Sequence, residues 1–125
     1  MNVTGFDHIV LCVTDVRRTL EFYETVLGME RREERPGKWS LHFGSSKISL
    51  QDAAADPELA RRTTPGPGNF CLLTDDPVDD FAAALREMNI EIVAGPDERS
   101  GADGALRSVY FRDPDGNLVE VSNRT

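Results

Sequence analysis

Displaced by 61 residues, the sequence lays Asp15 on Asp76, Leu20 on Phe81, Leu27 on Met88, Gly28 on Asn89 and Met29 on Ile90. One shift superposes the helix caps, the apolar stripe and the helix end, which marks an internal repeat. A repeat of this length confines a 125-residue chain to two copies of one supersecondary unit.

In the first copy, 6–13 is apolar and β-rich, and Asp15 caps a stretch where Val16, Leu20, Tyr23 and Leu27 recur at helical spacing. Gly28 ends that helix, 29–35 reads as an exposed strand of mixed charge, and 39–43 with 47–51 forms a hairpin around Gly44, Ser45 and Ser46. In the second copy 69–73 is a strand, Asp76 the cap, Pro77 the first helical turn, and Val78, Phe81, Leu85 and Met88 the buried stripe. A strand at 90–93 and a flexible loop at 95–104 precede a hairpin of 106–112 and 117–122 around Pro114, Asp115 and Gly116. The predicted fold is therefore α+β, a single domain (1–125) of two βαβββ modules, 4–52 and 69–123. They are joined by a linker, 53–68, rich in proline, glycine and small polar residues. Each curved mixed sheet leaves one face uncovered, so the two are expected to wall a concave groove.

The groove is where chemistry is expected. Centring the last hairpin on Asp115 sets Tyr110 opposite Glu120, so phenol and carboxylate share a face. Glu120 interrupts the apolar run 118–121, a costly place for a carboxylate with no partner. His8 interrupts 6–13 in the same manner, its repeat equivalent is Asn69, and the hairpin equivalent of Glu120 is Gln51. One imidazole, one carboxylate and two amides make a plausible ligand shell for Zn²⁺, Ni²⁺, Mn²⁺ or Fe²⁺. His42 joins Gln51 on one face if the 45–46 turn pairs it with Ser49. Arg107 and Arg112, near the second hairpin, are candidates for a substrate carboxylate or phosphate.

Composition narrows the partners. With 22 acidic and 14 basic side chains the net charge is −8, which repels nucleic acid and anionic membranes. No apolar run approaches membrane-spanning length and no leader precedes the first strand, so a cytoplasmic location is expected. Cys12 and Cys71 lie in apolar runs and read as reduced core thiols.

FDHIVLCVTDVRRTLEFYETVLGM resembles the opening strand and helix of the vicinal oxygen chelate superfamily, and VYFRDPDGNLVEV resembles its closing hairpin. That superfamily holds glyoxalases, bleomycin-resistance proteins and extradiol dioxygenases. The resemblance implies metal ligation by His8 and Glu120, with Gln51 and Asn69 at the other two ligand positions. Tyr110 lies where ring-cleaving members keep a tyrosine near the metal, but Asn69 replaces the second histidine that ring cleavage needs. The implied activity is a glyoxalase-type, metal-dependent isomerase or lyase passing through an enediolate, with Glu120 and Tyr110 as catalytic groups. The competing implication is a metal-free, bleomycin-resistance-type protein that sequesters a small molecule. A homodimer is implied in either case.

Overall fold

The structure, a computed structural model, describes residues 1–2, 4–55 and 68–125. Most of the expected linker thus lies outside the described residues. The chain divides into two compact units, Met1–Gly66 and Pro67–Thr125. Among the described residues each carries one helix and a four-stranded mixed sheet.

The first unit runs β1 (His8–Val13), α1 (Val16–Leu27), β2 (Glu30–Arg35), β3 (Lys38–Phe43) and β4 (Ser46–Asp52), in sheet order β1-β4-β3-β2. Asp15 caps α1 by accepting from the Arg18 N–H at 3.1 Å. The second unit runs β5 (Asn69–Leu73), α2 (Val78–Glu87), β6 (Ile92–Gly101), β7 (Gly104–Arg112) and β8 (Leu118–Arg124), in order β5-β8-β7-β6. The repeat is exact where each helix ends: Gly28 (φ 64°) and Asn89 (φ 57°), 61 residues apart, both adopt the left-handed conformation.

Alternation assigns the faces. In the first sheet Leu11, Val13, Leu41, Ile48 and Leu50 form the core beneath α1, whose Leu20 and Tyr23 are buried. Arg31, on that side, donates to Glu24 of the helix. The opposite face carries His8, Val10 and Cys12 beside Lys47, Ser49 and Gln51, with Ser40 and His42 on the next strand. In the second sheet Val109, Phe111, Val119 and Val121 are buried on the helix side, where Phe81 meets Phe111 edge-on at 5.8 Å. Its other face carries Asn69, Cys71, Leu118, Glu120, Ser122, Tyr110 and Ser108.

Several expectations change. The 95–104 segment is not a flexible loop: most of it belongs to β6, a ten-residue strand paired along β7. The cap of α2 is not Asp76. Pro77 holds the cap position without a side-chain bond, and Asn123 of β8 supplies the missing acceptor. In the first hairpin His42 pairs with Lys47 rather than Ser49, because the two-residue turn is Gly44-Ser45, one residue earlier than Ser45-Ser46. That two-residue slip preserves the face, so His42 and Gln51 still share a side. Cys71 is not a core thiol. It alternates with Phe70 and Leu72 and is exposed, whereas Cys12 is buried.

The Asp113–Asn117 turn ties the second unit together. Asp113 accepts from the Asp115 N–H, the Asn117 N–H and the Asn117 side-chain amide, at 2.8–3.0 Å. Asn117 Oδ1 in turn accepts from the Gly68 N–H at 2.7 Å, fixing the entry to β5.

Candidate metal and substrate site

In the second unit, Tyr110 and Glu120 stand directly opposed in the β7–β8 ladder, and Cys71 opposes Glu120 from β5. Ser122 Oγ donates to Glu120 Oε2 at 3.2 Å, lies 2.6 Å from Ser108 Oγ, and is 3.3 Å from Cys71 Sγ. Burial, then the hydrogen bond to Glu120, raises the Tyr110 phenol above its ordinary range, with Arg99 opposing. Partial burial also raises the Cys71 thiol, against the Ser122 hydrogen bond, and the neighbouring Glu120 charge adds to the rise. The carboxylate is thus flanked by three groups that hold their protons, which leaves it as the acceptor.

In the first unit, His8 Nδ1 lies 2.7 Å from Asp7 Oδ1, and the bond to His8 holds Asp7 below the usual carboxylate range. A carboxylate on Nδ1 fixes the tautomer that leaves Nε2 as a lone-pair donor, the arrangement found behind metal-ligating histidines. His42 is engaged elsewhere. Its Nε2 lies 3.0 Å from Glu34 Oε1, an atom that also accepts from Ser40 Oγ at 2.6 Å and Lys47 Nζ at 3.3 Å. Ser40 foremost, then His42 and Lys47, draw Glu34 down to about 2. A recess of about 370 Å³ opens beside this hub, lined by Asp7, Arg32, His42, Gly44, Ser45, Ser46 and Lys47. Its cations are already committed: Lys47 to Glu34 and Arg32 to Glu30.

The ladders decide which predicted ligands meet. Asn69 pairs with Leu118 and Cys71 with Glu120, so Asn69 and Glu120 are two positions apart on adjacent strands and one face. His8 pairs with Lys47 and Cys12 with Gln51. His8 and Gln51 are therefore four positions apart, roughly 13 Å along the strands, too far to share an ion. Counting from the repeat-equivalent positions His8 and Asn69, the ladder counterpart of Glu120 is Ser49, and that of Gln51 is Ser122. Gln51 Nε2 is buried with no hydrogen-bond partner. Arg107 points to the helix side, where two 2.8 Å bonds clamp it to Asp79. It is not on the Glu120 face, because odd positions of β7 face α2. Arg112 is on the Glu120 face, and its Nη1 donates to the Gly116 carbonyl at 2.9 Å.

Among the described residues no three His, Cys, Asp or Glu side chains converge as a metal cluster. Each unit by itself therefore offers an ion mixed donors only: the His8 imidazole in the first, and a Glu120 carboxylate oxygen with the Asn69 amide in the second. Sequence reasoning missed Asp7, Ser122, Arg99 and the facing of Cys71. Strict alternation from Asn69 would have found Cys71; nothing local distinguished Arg99.

Sheet order, helix placement and this polar face define a two-module α+β protein of the glyoxalase type. The chain belongs to the Glyoxalase/Bleomycin resistance protein/Dioxygenase superfamily, whose family model matches residues 5–121. It is 42% identical to virulence protein STM3117 of Salmonella typhimurium, across 98% of this chain and 85% of that one. It is 38% identical to the glyoxalase domain-containing protein RDO1 of Mycosarcoma maydis, across 98% and 70%. The metallothiol transferase FosB of Staphylococcus epidermidis is 25% identical, across 95% and 83%. Among solved structures, an integron cassette protein from V. Cholerae superposes with a TM-score of 0.93 at 40% identity, covering 100% and 98% of the two chains. Lactoylglutathione lyase from Agrobacterium tumefaciens gives 0.74 at 26%, covering 98% and 96%. FosX from Listeria monocytogenes, complexed with Mn(II) and sulfate, shares the fold at 0.70 and 21%, covering 99% and 93%.

Proposed function

We propose that this chain is a metal-dependent enzyme acting on a small molecule, an isomerase or lyase of the glyoxalase type. The observation that carries the reading is Glu120: a carboxylate on the sheet face away from the helix, oriented by Ser122 and Tyr110, in a family whose FosX member binds Mn(II). His8 through Nε2 and Glu120 are the principal ligands, with Asn69 as a weaker oxygen donor. The bound ion supplies Lewis-acid stabilisation of negative charge developing on adjacent substrate oxygens. Glu120 accepts a proton from the carbon next to the substrate carbonyl and returns it to the neighbouring carbon. Tyr110, which keeps its proton, donates a hydrogen bond to the oxygen where charge accumulates.

Calorimetric titration of chelator-treated protein with Mn²⁺, Zn²⁺, Ni²⁺ and, without oxygen, Fe²⁺ tests this. One ion is expected to bind per chain, and His8→Ala and Glu120→Ala are each expected to abolish binding. If none binds below about 100 μM, the enzyme reading fails. The second reading, a metal-free protein that sequesters a small molecule, is favoured by the lack of a convergent acid and histidine cluster among the described residues. Either reading takes the working species as a homodimer. A sedimenting species of one 13.9 kDa chain at micromolar concentration would overturn that.

A further inference from the structure

The chain has two histidines, both in the first unit, and their partners hold them in opposite tautomers. His8 meets a carboxylate through Nδ1, so its Nε2 keeps the lone pair. His42 meets one through Nε2, 3.0 Å from Glu34 Oε1. Glu34, drawn down to about 2 by Ser40 foremost, is ionised near neutral pH and can only accept. Ser40 Oγ commits its proton to the same Oε1 at 2.6 Å, so it offers lone pairs to His42 Nε2, 3.0 Å away. Both neighbours of Nε2 are therefore acceptors. Nε2 carries the hydrogen, and the lone pair of the neutral ring lies on Nδ1.

A histidine that gives one N–H to a carboxylate and keeps a lone pair on its other nitrogen is built as a general base. The carboxylate fixes the ring and balances the charge that the ring gains with a proton. His42 is half-buried and lines the recess of about 370 Å³, together with Ser45, Ser46 and Lys47. Ser40 offers no covalent route, because it is fully buried and its proton is on Glu34. Water is left as the nucleophile. Lys47 is the ladder partner of His42, and one N–H given to Glu34 leaves its ammonium two more. A cation beside the base suits an oxyanion formed there.

We propose that His42 is a second, metal-independent catalytic base, acting through Nδ1 on water, with Glu34 as its positioning residue and a short, hydrophilic carboxylic ester as its substrate class. Nδ1 takes a proton from water as the water oxygen bonds to the carbonyl carbon. The ester C–O bond then breaks, and the alkoxide leaves with that proton, giving acid and alcohol. Lys47 donates to the carbonyl oxygen while it carries the charge. None of these three groups is a ligand in the metal reading.

The test uses metal-free, ¹⁵N-labelled protein kept in chelator, with p-nitrophenyl acetate as the probe ester. Long-range ¹H–¹⁵N correlation spectra are expected to show His42 protonated at Nε2 and His8 at Nδ1. Hydrolysis of the probe is expected to saturate and to run slower in D₂O than in H₂O. His42→Ala is expected to lower kcat/KM by about tenfold or more, as is His42→Gln, which keeps an amide donor for Glu34. Glu34→Ala should mix the His42 tautomers and lose a similar share of the rate, and Glu34→Asp should restore part of both. The proposal is overturned if either His42 variant, with a well-dispersed amide spectrum, hydrolyses the probe as fast as the wild type, or if His42 is protonated at Nδ1. Equal rates in the two solvents, or an acetyl group trapped on the imidazole, would make His42 a nucleophile rather than a base and overturn it too. So would a Glu34→Ala variant unchanged in both tautomer and rate. A failed metal titration leaves these outcomes standing, and their failure leaves the metal reading intact.

Discussion

Asn123 Oδ1 accepts the backbone N–H of Val78 at 2.8 Å, so the first turn of α2 is capped by a residue 45 positions away on β8. The Asn123 amide also donates to the carbonyls of Thr74 and Asp76, at 2.8 and 2.7 Å. Asn123→Ala strands all three backbone groups and is expected to cost about 2 kcal/mol in urea unfolding. Asp76→Ala, which removes no cap, should stay within about 0.5 kcal/mol. Equal effects from the two would mean that Asp76 caps the helix after all.

Tyr110→Phe keeps the ring against Arg99 and removes the hydroxyl from Glu120. Stability is expected to change little while metal or ligand affinity changes. Val119, fully buried one position before Glu120, faces the helix, and Val119→Ala should cost about 2 kcal/mol. A destabilised Tyr110→Phe beside a silent Val119→Ala would reverse the face assignment.

The four-position offset between His8 and Gln51 gives a pair of affinity predictions. Gln51→Ala should leave Mn²⁺ affinity unchanged. Asn69→His, which puts an imidazole two positions from Glu120, should tighten Zn²⁺ binding about tenfold. Loss of Mn²⁺ binding in Gln51→Ala would show that the offset is bridged.

Glu34 has a depressed folded pKa of about 2 against an ordinary 4.5. Its pairing therefore contributes stability that is fully present above about 4.5 and is lost as pH falls through about 2. In Glu34→Gln the difference in urea midpoint from wild type should shrink progressively as pH is lowered across that window. A difference that stays constant from pH 6 to pH 2 would refute the assignment.

Legibility followed the source of each register. The Tyr110–Glu120 opposition could be read because a tight turn around Asp115 couples the two strands locally. The parallel pairings of β1 with β4 and β5 with β8 have no connecting turn, so the His8–Gln51 offset had no local signature. Gly95, Pro96, Gly101 and Gly104 read as loop breakers, yet in β6 the first two build a bulge within a paired strand. Asp76 carried the usual mark of a cap, but tertiary contact from Asn123 took the role. Cys71 looked buried because apolar neighbours on both sides concealed its alternation with Phe70 and Leu72.

The extra residue at Gly95 acts as a reading frame for the distal half of β6. Adding one residue between Ala94 and Asp97 with the bulge kept at its size would present Glu98 and Ser100 in place of Asp97 and Arg99, whereas removing one would erase the bulge and leave Asp97 opposite Ser108 and Arg99 opposite Leu106. Within such a strand, ligand preference can invert through a change in backbone count, so comparison of chains column by column would overlook the event.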